Sequence, residues 1–247
     1  MSILVYVDSE HGVAKAISWE IMAKARELAA QVGLPVVALV VSEKAGGLAR
    51  EAITYGADRV LVAEGEAYGQ YRTLVYAAAF KAAIAEAAAE IILLGNSAPV
   101  RDFAAMVACE LGIGLAADCQ EVALEDGNLK VMRPVFSGNI LADMIFQGKP
   151  QMVTVRNRSF APAAADAARQ GEIVPLAVDL GAATEREQIV GFEPAQQTEM
   201  ALENAAVIVS GGRGVKSEEG FAAIRELAKV LNAGIGASRA AVDAGWI

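Results

Sequence analysis

Four short apolar runs, each the length of one strand, alternate with helix-patterned segments over residues 2–95, and this alternation restricts the fold more than any other feature of the chain. The runs are ILVYVD from Ile3, PVVALVV from Pro35, DRVLVAE from Asp58 and EIILLG from Glu90. Between the first two, Ile17, Ile21, Ala25, Leu28 and Val32 recur at spacings of 4, 4, 3 and 4, one face of a helix that Gly33 ends. AGGLAREAITYG reads as a short helix closed by Gly56, and QYRTLVYAAAFKAAIAEAAAE as a long one. After the fourth run, Asn96, Ser97 and Pro99 are helix-start signals, followed at helical spacing by Phe103, Met106, Val107, Glu110 and Leu111. Strands alternating with helices in this way predict right-handed crossovers onto a parallel sheet.

Beyond Gly114 the pattern changes to short strands broken by turn residues. Asp126-Gly127-Asn128, Gly138-Asn139 and Gly148 to Pro150 supply the turns. They predict an antiparallel meander that extends the parallel layer and ends near Phe160. APAAADAARQGEI is an Ala- and Pro-rich surface arm, IVPLAVDL and REQIVGFEP are two further short strands, and the polar stretch Pro194 to Met200 is a domain boundary. The expected domains are therefore 1–193 and 194–247.

The totals exclude several functions. A formal charge of -9 with no basic run argues against nucleic-acid binding, which rests on clustered Lys and Arg. Pro35 to Val41 is far short of the roughly 20 apolar residues that span a bilayer. The N-terminus opens directly on a strand without a basic flank or cleavage pattern, so the expectation is a cytoplasmic protein of a bacterium or archaeon that is not integral to a membrane. Cys109 and Cys119 stand ten residues apart, and His11 is the one histidine, so nitrogen and sulfur ligands are too few for a catalytic metal site unless carboxylates dominate it; both thiols are expected to be buried and reduced.

Sites in parallel sheets lie at the carboxyl ends of strands. At the first such end, Asp8, Ser9, Glu10 and His11 could form an acid/base group, but without a paired nucleophile Asp8 and Ser9 read as helix caps. At the second, Ser97 in GNSAPVRD is either a cap or a phosphate contact. The third is the most informative. Ser210-Gly211-Gly212-Arg213-Gly214 follows the strand AAVIV and precedes a helix capped by Ser217, whose core face is Phe221, Ile224, Leu227, Ala228 and Leu231. Glycines there permit positive φ and close backbone approach, and Arg213 offers a charged fork. The loop is not GxGxxG, and Glu218 and Glu219 would repel a phosphate on the helix axis. LNAGIGASRAAVDAGW then places Ser238 and Arg239 at the end of a second strand, so two arginines and a hydroxyl meet at one sheet edge. Paired guanidiniums without an acid/base partner suit an anionic cofactor better than bond breaking.

VIVSGGRGVKSEEGF and AGIGASRAAVDAGW resemble the FAD-domain signatures of the electron transfer flavoprotein alpha subunits, and LLGNSAPVRDFA, ELGIGLAADCQEV, RPVFSGNILADM and PQMVTVRNRSF extend the resemblance over essentially the whole chain. The resemblance implies an α/β fold. An N-terminal parallel-sheet domain of adenine-nucleotide-hydrolase-like topology, holding no nucleotide, carries an antiparallel extension and is followed by the first part of a Rossmann-like FAD domain. It implies FAD as cofactor, contacted by Gly212, Arg213, Gly214 and Ser238, with Arg239 over the isoalloxazine. It implies a beta subunit as heterodimer partner, electron donors among flavin dehydrogenases such as the acyl-CoA dehydrogenases of fatty acid beta-oxidation, and a quinone reductase or other oxidoreductase as acceptor. On this reading the protein is a carrier, not an enzyme.

In that family the pattern continues past DAGW into further flavin loops that this sequence does not contain, so an incomplete FAD domain that does not by itself hold FAD, and that is poorly packed or leans on neighbouring molecules from about Pro194 onward, is expected here. Two readings compete with the carrier: a cofactor-free scaffold that docks the partner subunit, and a nucleotide-binding enzyme using the strand ends of the first domain. A bifurcating flavoprotein is a variant of the first reading.

Overall fold

The computed structural model describes residues 1–191, 202 and 205–247. The expected boundary Pro194–Met200 lies outside these residues. The chain divides into two compact units, Met1–Gln188 and Ile189–Ile247.

In the first unit, β1 (Ser2–Val7), β4 (Val36–Ser42), β5 (Arg59–Glu64) and β6 (Ala89–Gly95) match the four apolar runs. A two-residue hairpin, β2 (Ser9–Glu10) with β3 (Val13–Ala14), separates β1 from α1 (Ala16–Val32). The crossover helices α2 (Gly46–Tyr55), α3 (Thr73–Glu86) and α4 (Ala98–Leu111) follow in order. Gly33 closes α1 in the left-handed conformation at φ 68, and the Ser97 hydroxyl accepts the Val100 N–H at 3.4 Å to start α4. Ser97 therefore is a helix cap.

The later strands are β7 (Leu115–Cys119), β8 (Glu121–Glu125), β9 (Asn128–Val135), β10 (Ile140–Ile145), β11 (Gln151–Val155) and β12 (Glu172–Pro175). The main sheet has the order β12-β5-β4-β1-β6-β11-β7, and every pairing in it is parallel. The sequence reading needs correction here. The meander does not extend this layer but forms its own antiparallel sheet, β10-β9-β8, while β11 passes between β6 and β7. Nor does the first unit end near Phe160, since residues beyond the arm return to add β12 beside β5. Asp58 anchors the arm by accepting from Arg169 at 2.6 Å and from Arg26 at 3.0 Å. REQIVGFEP is not a strand in its described part: Arg186 ends the short helix α5 (Ala183–Arg186), and residues 187–191 are irregular.

Both faces of the sheet are covered, which is why β1 reads as unbroken apolar sequence rather than as an alternation. Ile3, Val5 and Val7 join one core with α1, α2 and the meander residues Val122, Leu129 and Val131. Leu4 and Tyr6 join the other with Phe80 of α3 and Phe103 of α4.

The second unit pairs β13 (Ile208–Gly211) with β14 (Gly234–Ala237) in parallel, with α6 (Phe221–Leu231) between them and α7 (Arg239–Asp243) after. Of the helix face expected to be core, only Phe221 and Ala228 are buried; Leu227 is 50% and Leu231 49% exposed. Two strands are too narrow to cover both columns of an amphipathic helix.

Candidate functional site

β13 and β14 run parallel, so their carboxyl ends open at the same edge of the pair, and each is followed directly by residues named from the sequence. Gly212 and Arg213 follow β13, while Ser238 and Arg239 follow β14. The two loops are tied together where the Ser238 N–H donates to the Gly211 carbonyl at 2.9 Å. A Cβ placed on Gly212 would stand 3.5 Å from the Ser238 hydroxyl, so side chain and glycine backbone face one another across the loop junction. Ser238 begins α7 without donating or accepting a capping bond through its hydroxyl, which leaves that group for a ligand. The Arg239 side chain is 93% exposed and reaches Asp243 only at 3.4 Å.

The glycines act differently from the expectation. Gly211, Gly212 and Gly214 all avoid positive φ, and the left-handed residue of the loop is Lys216 at φ 70. The need for glycine is steric at Gly211, where a Cβ would press into the Phe221 ring; around Gly214 the space is open. Ser217 is also displaced from its expected place. Its hydroxyl accepts the Gly220 N–H at 3.3 Å, in the turn before α6, and Gly220 holds the cap position.

These residues fit an anionic, aromatic cofactor. The junction offers two guanidiniums, a hydroxyl that makes no capping bond and open space around Gly214. Among the described residues no group of three metal-ligating side chains occurs, and no helix is long and apolar enough to cross a membrane.

In the first unit, Asp8 and Ser9 do not cap α1. Lys15 occupies that cap without a side-chain bond, and Ser9 belongs to the hairpin. The Asp8 backbone carbonyl instead accepts the Ser18 hydroxyl at 3.0 Å. Its carboxyl is buried with Oδ2 unpartnered, and burial pushes it above the usual carboxylate range against the opposing pull of Ser97 and Lys15.

A cluster that sequence reasoning missed lies at the carboxyl ends of β6, β7 and β11. Asp118, at φ 61, accepts from Asn96 at 2.8 Å and from Arg156 Nε at 3.0 Å, and its own N–H donates to the Thr154 hydroxyl at 2.9 Å. Hydrogen bonds from Arg156 hold its carboxyl below the ordinary value. Recognising QMVTV as a parallel strand would have directed attention to Thr154 and Arg156 at its end. Of the two thiols, Cys119 is buried and pushed up to about 11 by desolvation, but Cys109 is exposed, contrary to expectation.

The two aspartates predict opposite pH signatures. Asp8 binds its proton more tightly in the fold than in the unfolded chain, so it lowers stability progressively as pH rises past the ordinary carboxylate value. Asp8→Asn should therefore gain unfolding midpoint relative to the parent between pH 4 and pH 7. Asp118 is shifted down, so its contribution is complete above that value and vanishes as pH falls through the folded one. Asp118→Asn should lose midpoint at pH 7, and the difference should close in acid. Parallel melting curves across pH would contradict both assignments.

Comparison with known proteins agrees with the layout of the two units. The family described as "Electron transfer flavoprotein domain" matches residues 3–180, and the one described as "Electron transfer flavoprotein FAD-binding domain" matches residues 201–247. The chain is 36% identical over 247 residues to an electron transfer flavoprotein subunit alpha of Thermoanaerobacterium thermosaccharolyticum, covering 99% of this chain and 75% of that protein. It is 36% identical to the subunit alpha of Megasphaera elsdenii, covering 98% of this chain and 74% of that one. Protein FixB of Azotobacter vinelandii is 34% identical, with 98% and 69% covered.

Proposed function

The chain belongs to the electron transfer flavoprotein family as an alpha subunit, and on that premise we propose that it works with a beta subunit as an FAD-dependent electron carrier. Its electrons come from flavin dehydrogenases, with acyl-CoA dehydrogenases the leading class, and pass to a quinone reductase or another oxidoreductase. FAD, when bound, supplies reversible one- and two-electron redox chemistry. The protein's part is to bind, orient and tune. Gly212 and Gly214 allow close approach of the β13 loop, Arg213 and Ser238 contact the cofactor, and Arg239 sets its charge beside the ring system. Residues 1–193 form the docking domain for the partner, and the FAD-binding part occupies 194–247.

The observation that carries this reading is the joining of two strand ends that present Arg213, Ser238 and Arg239 at one edge. A chain of net charge -9 that sets two arginines on loops of the same small sheet has a local use for positive charge. The test is to co-purify the chain with its beta subunit and measure visible flavin absorbance. FAD bound in stoichiometric amount, and reduced by a flavin dehydrogenase, is the expected result. A colourless complex would favour the scaffold reading, for which the exposed Leu227, Val230 and Leu231 of α6 speak.

A further inference from the structure

α7 is held in place without its charged side chains. The Ser238 carbonyl accepts the Ala241 N–H at 2.9 Å and the Val242 N–H at 3.2 Å, and the Ala241 carbonyl accepts the Trp246 N–H at 3.1 Å. Ala241 is the buried residue of the helix. Arg239 and Asp243 take no part in these contacts. They stand four residues apart on one face of α7 and meet each other, Arg239 Nε donating to Asp243 Oδ2 at 3.4 Å.

Helix stability does not account for this pair. The two side chains are 93% and 64% exposed, and ion pairs so exposed contribute little to a fold. Their order is also the reverse of what a helix favours. Anions suit the first turn and cations the last, whereas here the cation opens α7 and the anion closes it. A pair that breaks a local rule without stabilising its helix, and that begins at the residue after Ser238, belongs to the cofactor site rather than to the scaffold.

The point of contact is informative. Nε lies at the base of the guanidinium fork, and among the described residues neither Nη group donates a hydrogen bond. The stem of the fork is therefore restrained while both outer ends stay available for a ligand. Without a partner, an arginine this exposed would sample many rotamers, and ordering it on binding would cost affinity. We infer that Asp243 is a positioning residue for the cofactor: it holds the Arg239 guanidinium by Nε, keeps both Nη groups available to FAD, and offsets part of the charge they bring. This rests on the reading of the chain as an FAD-binding alpha subunit with Arg239 beside the ring system.

The experiment uses the full chain with its beta subunit, with FAD affinity read from flavin fluorescence and reduction potential from spectroelectrochemistry. Asp243→Ala should weaken FAD binding about two- to tenfold, the effect of ordering one long side chain on binding. Asp243→Asn still accepts from Nε and should bind FAD at least as tightly as the parent. Its flavin should also be easier to reduce, because the negative charge that offsets Arg239 is gone. In an Arg239→Ala background, Asp243→Ala should leave the affinity unaltered, since the group it positions is absent. Both positions are exposed, so unfolding midpoints of all these variants should match the parent. An equal loss of affinity from Asp243→Ala with and without the arginine would overturn the inference, because Asp243 would then act independently of Arg239. Undiminished affinity in Asp243→Ala, where Arg239→Ala does bind FAD more weakly, would overturn it too and leave the role of Arg239 standing. A parent complex that holds no FAD would remove the FAD-binding reading itself, and this inference with it.

Discussion

Phe103→Ala is expected to lower the unfolding free energy of the first unit by about 3–5 kcal/mol. Phe103 is fully buried where α4 crosses the sheet, with ring contacts of 5.2 Å to both Tyr6 and Phe80 in near-perpendicular geometry. Truncation removes the transfer free energy of the ring, leaves a cavity among residues held by β1 and α3, and breaks two edge-to-face pairs that contribute about 0.5–1.5 kcal/mol each. Against a typical total stability of about 5–15 kcal/mol, the loss is large enough to leave much of the protein unfolded at physiological temperature. Denaturant titration of parent and variant measures it directly. A loss under about 1 kcal/mol would mean that the helices close over the vacancy, and the core would then be far more plastic than its packing implies.

The second large effect falls on redox potential. In the complex with bound FAD, Arg239→Ala should make the flavin harder to reduce if, as proposed, Arg239 sets its positive charge beside the ring system, since the substitution removes that charge. Among the described residues the Arg239 guanidinium is offset by Asp243 at 3.4 Å, and that contact is itself in water, so the arginine keeps most of its charge for a neighbouring ligand. At an effective dielectric constant of about 20, unit charges about 4–6 Å apart interact by about 3–4 kcal/mol, and solvent screening of so exposed a group reduces this to on the order of 1–3 kcal/mol, or roughly 40–130 mV for one electron. Arg239→Lys should retain part of this effect, since it keeps the charge without the planar fork. Spectroelectrochemical titration of parent, lysine and alanine forms should give potentials in that order. An unchanged potential in the alanine form would remove Arg239 from its proposed role.

How much of this could be read in advance depended on how many faces of each element are buried. β1, β4, β5 and β6 are buried on both sides, so their sequences are uninterrupted apolar runs and their assignment was secure. β11 is equally buried, but QMVTV sits among antiparallel turns, and nothing local distinguishes a strand pairing with its sequence neighbour from one crossing to β6. The same holds for β12, whose four residues reveal no partner. Arg213, Ser238 and Arg239 could be placed after neighbouring strand ends in advance because glycine-bounded strand ends are local features. Asn96, Asp118 and the pair Thr154 and Arg156 come from three separate segments far apart in sequence, so only the strand order brings them together. The apolar face of α6 was read correctly as a pattern and wrongly as a core, since periodicity says which side of a helix is apolar but not whether anything covers it.

The strand order has a consequence for how the sheet is assembled in time. β1, β4, β5 and β6 are all contributed by the first 95 residues and can pair as soon as that length of chain is available. β12 pairs Glu172 with Arg59, a partner more than a hundred residues upstream, and closing so long a loop is entropically slow and rewarded by only four ladder positions. The centre of the sheet should therefore condense early, during synthesis, with the β12 edge joining last and held in place by the Arg169 to Asp58 contact. Amides of β12 should in turn be the first in the sheet to exchange with solvent, while those of β1 open only when the whole unit does.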